Sequence, residues 1–136
     1  MTTTPLSLMV RPSSFVTTDM ARLDWTLPVR TLIHHFQNHD FRVLSVNDGE
    51  EDVPIVSNPY SLAERKEATE IITSVDESYL RVAKGEQTAI IFIVLGNEPD
   101  ELVADYGCSE ELMPFVDDVV NAHRNQWEGK RCPVAA

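Results

Sequence analysis

The sequence predicts an α+β fold, an antiparallel or mixed sheet built on a three-stranded meander over 79–106 with helices near 26–38, 62–75 and 110–128. Two patterns carry this expectation. Between 79 and 106 apolar segments alternate with turns far shorter than the dozen or so residues a parallel crossover needs, so successive strands must pair antiparallel. Elsewhere apolar residues recur at i, i+3, i+4 and i+7, the period of a helix with one buried face. At 136 residues and 43% hydrophobic content the chain is expected to close one core as a single domain, 1–136.

Taken in order, residues 1–24 are rich in Thr, Ser and Pro, with only Leu6, Leu8 and Val10 alternating. They read as a flexible arm or an edge strand. Asp24 or Thr26 can cap the first helix, and Pro28 is tolerated in its first turn. Val29, Leu32, Ile33 and Phe36 form its apolar stripe, and Asn38 is a natural stop. A strand over 41–46 follows, then a turn at Asp48-Gly49 and a weak return strand over 53–56 that Pro54 confines to an edge. Ser61 and Glu64 make a capping box for the second helix, whose stripe is Ala68, Ile71, Ile72 and Val75.

The meander comprises 79–83, the apolar run 89–95 and 102–106. Because the middle segment is apolar at every position, it is expected to be covered at least in part on both faces. Ser109 can cap the last helix, with Glu110 and Glu111 in its first turn where the helix dipole favours carboxylates. Pro114 argues for a start some residues later. Leu112, Phe115, Val116, Val119, Val120, His123 and Trp127 share its stripe, and Gly129 ends it.

The formal net charge of −11 is uneven: seven acids face four bases in residues 1–60, fifteen face seven in 61–136. Such a field repels nucleic-acid phosphates and anionic membrane surfaces, so direct binding to either is not expected, and a partner recognised by charge should be basic. No run approaches the roughly 18 apolar residues of a membrane span, and the first residues lack the pattern of a secretory signal. Two cysteines, Cys108 and Cys132, are too few for a disulfide framework and suit a reducing cytoplasm.

Chemistry-bearing clusters are sparse. His35 and His39, at i, i+4 with Asp40 beside them and His34 adjacent, could grip a transition metal; the competing reading is surface histidines favoured by the helix C-terminal dipole. Asp48, Glu50, Glu51 and Asp52 lack the regular ligand positions of a calcium loop. Cys108 precedes a helix start, an environment that can lower a thiol pKa, but no catalytic signature surrounds it. His123 reads as a hydrogen-bonded boundary residue. No phosphate-binding glycine loop or nucleophile elbow occurs, and no cofactor is expected. What stands out is the absence of Lys and Arg between Lys84 and Arg124, a stretch holding Glu98, Asp100, Glu101, Asp105, Glu110, Glu111, Asp117 and Asp118. These carboxylates are the candidate partner-binding face, as a solvated surface, a patch for a basic protein, or a mimic of nucleic-acid phosphates.

The segment Ile93-Val-Leu-Gly-Asn-Glu-Pro-Asp-Glu-Leu-Val-Ala-Asp-Tyr106, with the acidic helix beyond it and Trp127, resembles the C-terminal part of small uncharacterised accessory proteins of bacterial phages and mobile elements. The resemblance covers the last third, carries no catalytic motif and assigns no residue a role. It implies accessory or host-interaction functions, including inhibition of host defence. The expectation is a non-enzymatic acidic interaction module that engages a basic protein surface. The alternatives are a metal-dependent protein or enzyme using His34–Asp40, and a structural subunit forming homo-oligomers through a sheet edge or the N-terminal arm.

Overall fold

In the computed structural model, which describes residues 23–56, 58 and 60–134, helix α1 spans Thr26–Asn38, strand β1 Arg42–Asn47, β2 Asp52–Pro54, helix α2 Leu62–Ile72, β3 Glu77–Lys84, β4 Gln87–Val94, β5 Val103–Cys108 and helix α3 Met113–Trp127. The strands form one antiparallel sheet in the order β2-β1-β3-β4-β5. The meander β3-β4-β5 therefore runs from the central strand to one edge. Strands β2 and β3 both oppose β1 and so run parallel to each other, with α2 carrying the chain between them across β1.

Local chemistry explains most element ends. Helix α1 begins where Asp24 Oδ1 accepts the Thr26 amide at 2.9 Å. That bond and the Thr26 hydroxyl hold the Asp24 carboxyl below its ordinary range. In the β3-β4 hairpin Lys84 pairs with Gln87, leaving Gly85-Glu86 as a two-residue loop. Gly85 takes φ +64, which a side chain at the first central position of such a turn would resist. The β1-β2 turn is held by Asp48, whose Oδ1 accepts the amides of Glu50 at 2.9 Å and Glu51 at 3.0 Å. Those bonds keep its carboxyl pKa low.

Two helices are shorter than their periodicity predicts. Helix α2 stops at Ile72, and Thr73–Val75 continue only as turns. Helix α3 begins at Met113, because Pro114 is confined to the first turn. Ser109 still acts one turn earlier, its carbonyl accepting the amides of Leu112 and Met113. Residues Leu6 to Val10 lie outside the described residues. Leu23 bridges Val134 rather than any strand of the sheet, and the Asp24 amide donates to the Pro133 carbonyl at 2.7 Å.

The core lies between the sheet and all three helices. Val43, Val46, Leu80, Val82, Ala89, Ile91 and Ile93 point from the sheet toward Val29, Leu32, Ile33, Phe36, Ile72, Val116, Val119 and Val120, all buried. Helix α1 sits between α2 and α3. The Trp127 indole donates to Thr31 Oγ1 at 2.9 Å, and His35 pairs with Gln126 at 2.7 Å. Lys84 bonds the His39 carbonyl at 2.7 Å, with its ammonium 4.9 Å from the centre of the Phe115 ring and 5.7 Å from that of Phe41. Phe115, placed by its spacing on the apolar stripe, is consequently 43% exposed, covered on one side by a cation rather than by the core.

A polar network joins α1 to α2. The Ser61 hydroxyl accepts the Glu64 amide at 3.0 Å as the capping box requires, and the Glu64 carboxylate accepts from Tyr60 N at 3.4 Å and Gln37 Nε2 at 3.1 Å. Gln37 Nε2 also reaches the Ser61 carbonyl at 3.0 Å, and Arg65 Nε donates to Gln37 Oε1 at 2.9 Å. Glu64 is only 1% exposed, so losing its oxygens would orphan buried donors. Glu64→Ala is expected to lower stability by about 1–3 kcal/mol. Glu64→Gln, which retains one acceptor oxygen, should cost less; urea midpoints of the two variants check the order.

Candidate functional site

Strand β4 has two unequal faces. Ala89, Ile91 and Ile93 enter the core, while Ile90, Phe92 and Val94 point the other way, where no element among the described residues lies on the sheet. The expectation of cover on both faces is thus wrong: all three helices pack on one side. In register, Tyr79 lies opposite Phe92 and Arg81 opposite Ile90, with Asp105 beside Phe92 and Gly107 beside Ile90 on β5. Tyr79 and Phe92 stack with ring centres 4.8 Å apart. Tyr79 is 44% and Ile90 49% exposed.

Two hollows flank this apolar centre. One, of about 450 Å³, is lined by Asn47, Asp52, Tyr79, Arg81 and Ile90, and its floor includes the 3.0 Å Arg81–Asp52 ion pair. The other, of about 250 Å³, lies among Tyr79, Ile90, Phe92, Asp105, Tyr106 and Gly107. Gly107 leaves the surface open here without being sterically required: its φ is ordinary and a Cβ at that position would meet nothing within 4 Å.

The acidic residues are distributed around β5, an edge strand. Glu98, Asp100 and Glu101 form the turn before it, Asp105 lies on the open sheet face, Glu110 and Glu111 follow it, and Asp117 and Asp118 lie on α3. Glu98, Glu101, Asp105, Glu110, Glu111 and Asp118 are exposed; Asp100 and Asp117 are half-buried. Three have internal partners. Asp117 Oδ1 accepts the Tyr106 hydroxyl at 2.5 Å, which raises the phenol pKa, Glu111 accepts from Gln87 at 3.1 Å, and Asp105 accepts the Tyr106 amide at 2.8 Å.

Packing also brings to the acidic turn two residues that the sequence did not place there, one of them basic. A cleft of about 600 Å³ brings Asp100 and Glu101 against Arg124 and Glu128 from the far end of α3. One arginine and a further carboxylate therefore face the acidic turn. The sequence signal for this was the helical spacing of Arg124 and Glu128 alone.

The histidine cluster does not converge. His34 pairs with Asn38 at 3.2 Å, His35 with Gln126, and His39 Nδ1 with the His35 carbonyl at 2.9 Å, so the three rings face different partners. Among the described residues no group of three or more His, Cys, Asp or Glu is arranged to hold a metal ion. The thiol near α3 is not activated: burial and the Asp117 carboxylate push the Cys108 pKa up, and burial with Asp24 pushes that of Cys132 to about 11. His123 is 1% exposed, not a boundary residue. Its Nε2–H donates to the Pro99 carbonyl at 2.9 Å while Nδ1 has no partner among the described residues, and burial lowers its pKa to about 4.

Fold and surface together define an α+β domain with a five-stranded antiparallel sheet, helices on one face, and an exposed apolar strip edged by carboxylates on the other. No protein-family model, curated protein or solved structure matches the chain. No helix of the described residues is long and apolar enough to cross a membrane.

Proposed function

We propose that this protein is a non-enzymatic interaction module of the cytoplasm that engages a basic surface on another protein, an accessory factor of the phage or mobile-element kind whose target would be a host component such as a defence protein. The supporting observation is the Tyr79–Phe92 stack with Ile90 on the uncovered sheet face, in direct register with Asp105. Interfaces concentrate binding energy in a few aromatic and aliphatic anchors inside a polar rim. Here the anchors are neutral and Asp105 lies beside them, so the fitting partner places an apolar side chain in the hollow beside Gly107 and basic residues against Asp105 and, around the β5 edge, against Glu98, Asp100, Glu101, Glu110, Glu111 and Asp118, with Asp117 held by the Tyr106 hydroxyl. The rim governs encounter rate and partner choice more than residence time. The free thiols of Cys108 and Cys132 suit a reducing compartment.

Charge reversal tests the rim. Glu98→Lys, Glu101→Lys, Glu110→Lys and Asp118→Lys replace exposed side chains, so the combined variant should fold. Its association with a partner captured from host lysate at low salt should weaken by about tenfold or more. Raising salt to about 0.5 M should weaken the wild type in the same direction. Capture indifferent to both changes would contradict the electrostatic part of the proposal.

A further inference from the structure

A second surface has the opposite sign. On the outside of the helix layer α1 and α2 enclose a groove of about 620 Å³ lined by Arg30, Arg65, Lys66, Thr26, Thr69 and Glu70, with Leu62 at its lip. Three cations from two helices converge here on a chain that has twice as many acids as bases. Among the described residues Glu70 is the only carboxylate of the lining, so that lining carries a net charge of about +2, with the Asp24 carboxylate near enough to feel the Arg30 charge. None of the three cations has a carboxylate oxygen within ion-pair distance among the described residues.

Arg65 is positioned rather than loose. Its Nε is tied to Gln37 Oε1 at 2.9 Å, and Gln37 is fixed in turn by the buried Glu64 carboxylate and the Ser61 carbonyl. Among the described residues nothing accepts from the terminal nitrogens of its guanidinium, which form the planar fork that suits phosphate oxygens. His34 senses the same field from α1: burial lowers its pKa, and the Arg65 charge lowers it further. Leu62, 72% exposed, puts an apolar side chain beside the cations.

We infer that this groove binds a small phosphate monoester, its phosphoryl oxygens among Arg30, Arg65 and Lys66 and an apolar body against Leu62. A phosphate monoester carries about −1.5 to −2 charges near neutral pH, matching the lining, whereas one carboxylate would leave it half neutralised. The groove volume falls within the range of about 300–1,000 Å³ usual for small-molecule sites. The overall charge of −11 opposes anions at long range, so binding depends on these close contacts rather than on the global field. This site is independent of the sheet-face surface.

Titration of the full ¹⁵N-labelled chain with phenyl phosphate, inorganic phosphate and benzoate, at constant ionic strength, tests the inference. Phenyl phosphate should bind about tenfold more tightly than inorganic phosphate or benzoate, shifting amides of 26–34 and 61–70. Arg30→Gln and Lys66→Gln, both on exposed helix positions, should each weaken it about tenfold. Leu62→Ser should bring phenyl phosphate down to the affinity of inorganic phosphate. Arg65→Lys, which keeps the charge but loses the fork, should weaken the phosphates more than benzoate. The inference is overturned by equal affinity for all three probes that the variants leave unchanged, which would mean an adventitious ion only. It is equally overturned by shifts confined to other residues, or by no shifts at about 10 mM.

Discussion

Truncation of Ile91 to alanine is expected to destabilise the fold by about 2–5 kcal/mol, while the same truncation one residue earlier, at Ile90, should cost less than about 1 kcal/mol. The two side chains are chemically identical and adjacent, but Ile91 is fully buried among the helices and Ile90 is half exposed on the open face. In the first case a cavity opens among atoms that cannot collapse into it; in the second, water already reaches much of the side chain. Thermal unfolding should separate the variants by roughly 10 °C. A comparable loss at Ile90 would mean that the outer face is packed, and the interaction surface proposed for it would fail with that result.

The second large effect is a dependence on pH set by His123. Its folded pKa of about 4 lies below the ordinary 6.5 of an unfolded histidine. Between those values the unfolded chain takes up a proton that the native state refuses, so stability falls as pH falls through 6.5 and the loss levels off below about 4. The full difference amounts to about 3 kcal/mol. Carboxylates titrate in part of the same window, so the comparison is with His123→Leu. That variant forfeits the bond to the Pro99 carbonyl and starts less stable at neutral pH, but its curve between pH 6.5 and 4 should be flatter than the wild type's. Parallel curves for the two proteins would contradict a buried neutral imidazole at this position.

Much of the architecture follows from residue spacing. Helix α1 ends where its stripe and flanking residues place it, since Val29, Leu32, Ile33 and Phe36 have only one face to bury and Asn38 meets the positive-φ residue Asp40 two positions on. The hairpin of β3 and β4 follows from Gly85 and the shortness of its loop. The expectation failed where an apolar pattern had no polar contrast to orient it. Every residue of Ala89–Leu95 is apolar, so periodicity could not show that no element among the described residues covers Ile90, Phe92 and Val94; that depends on where three helices, distant in sequence, come to rest. Phe115 failed for a related reason, because its helical position faces Lys84 rather than the core.

The candidate surfaces were legible in unequal measure. The carboxylates from Glu98 to Asp118 announce themselves through a lack of intervening bases, yet Asp117 turns inward to Tyr106, and Arg124 and Glu128 join the acidic turn only through packing. The phosphate groove was invisible as a pattern. Arg30 lies in a different helix from Arg65 and Lys66, and the glutamine that orients Arg65 reads in sequence as one more polar residue near the end of α1.

The central claim, that the open sheet face is the binding surface, is tested most directly by filling the hollow beside Ile90. In Gly107→Leu the new side chain begins in open space, so the urea midpoint should match or exceed that of the wild type. A partner captured by the wild-type protein and measured against purified Gly107→Leu should bind at least about tenfold more weakly, with the fold intact. Unchanged affinity in a variant of native stability would contradict the claim and place the partner elsewhere on the molecule.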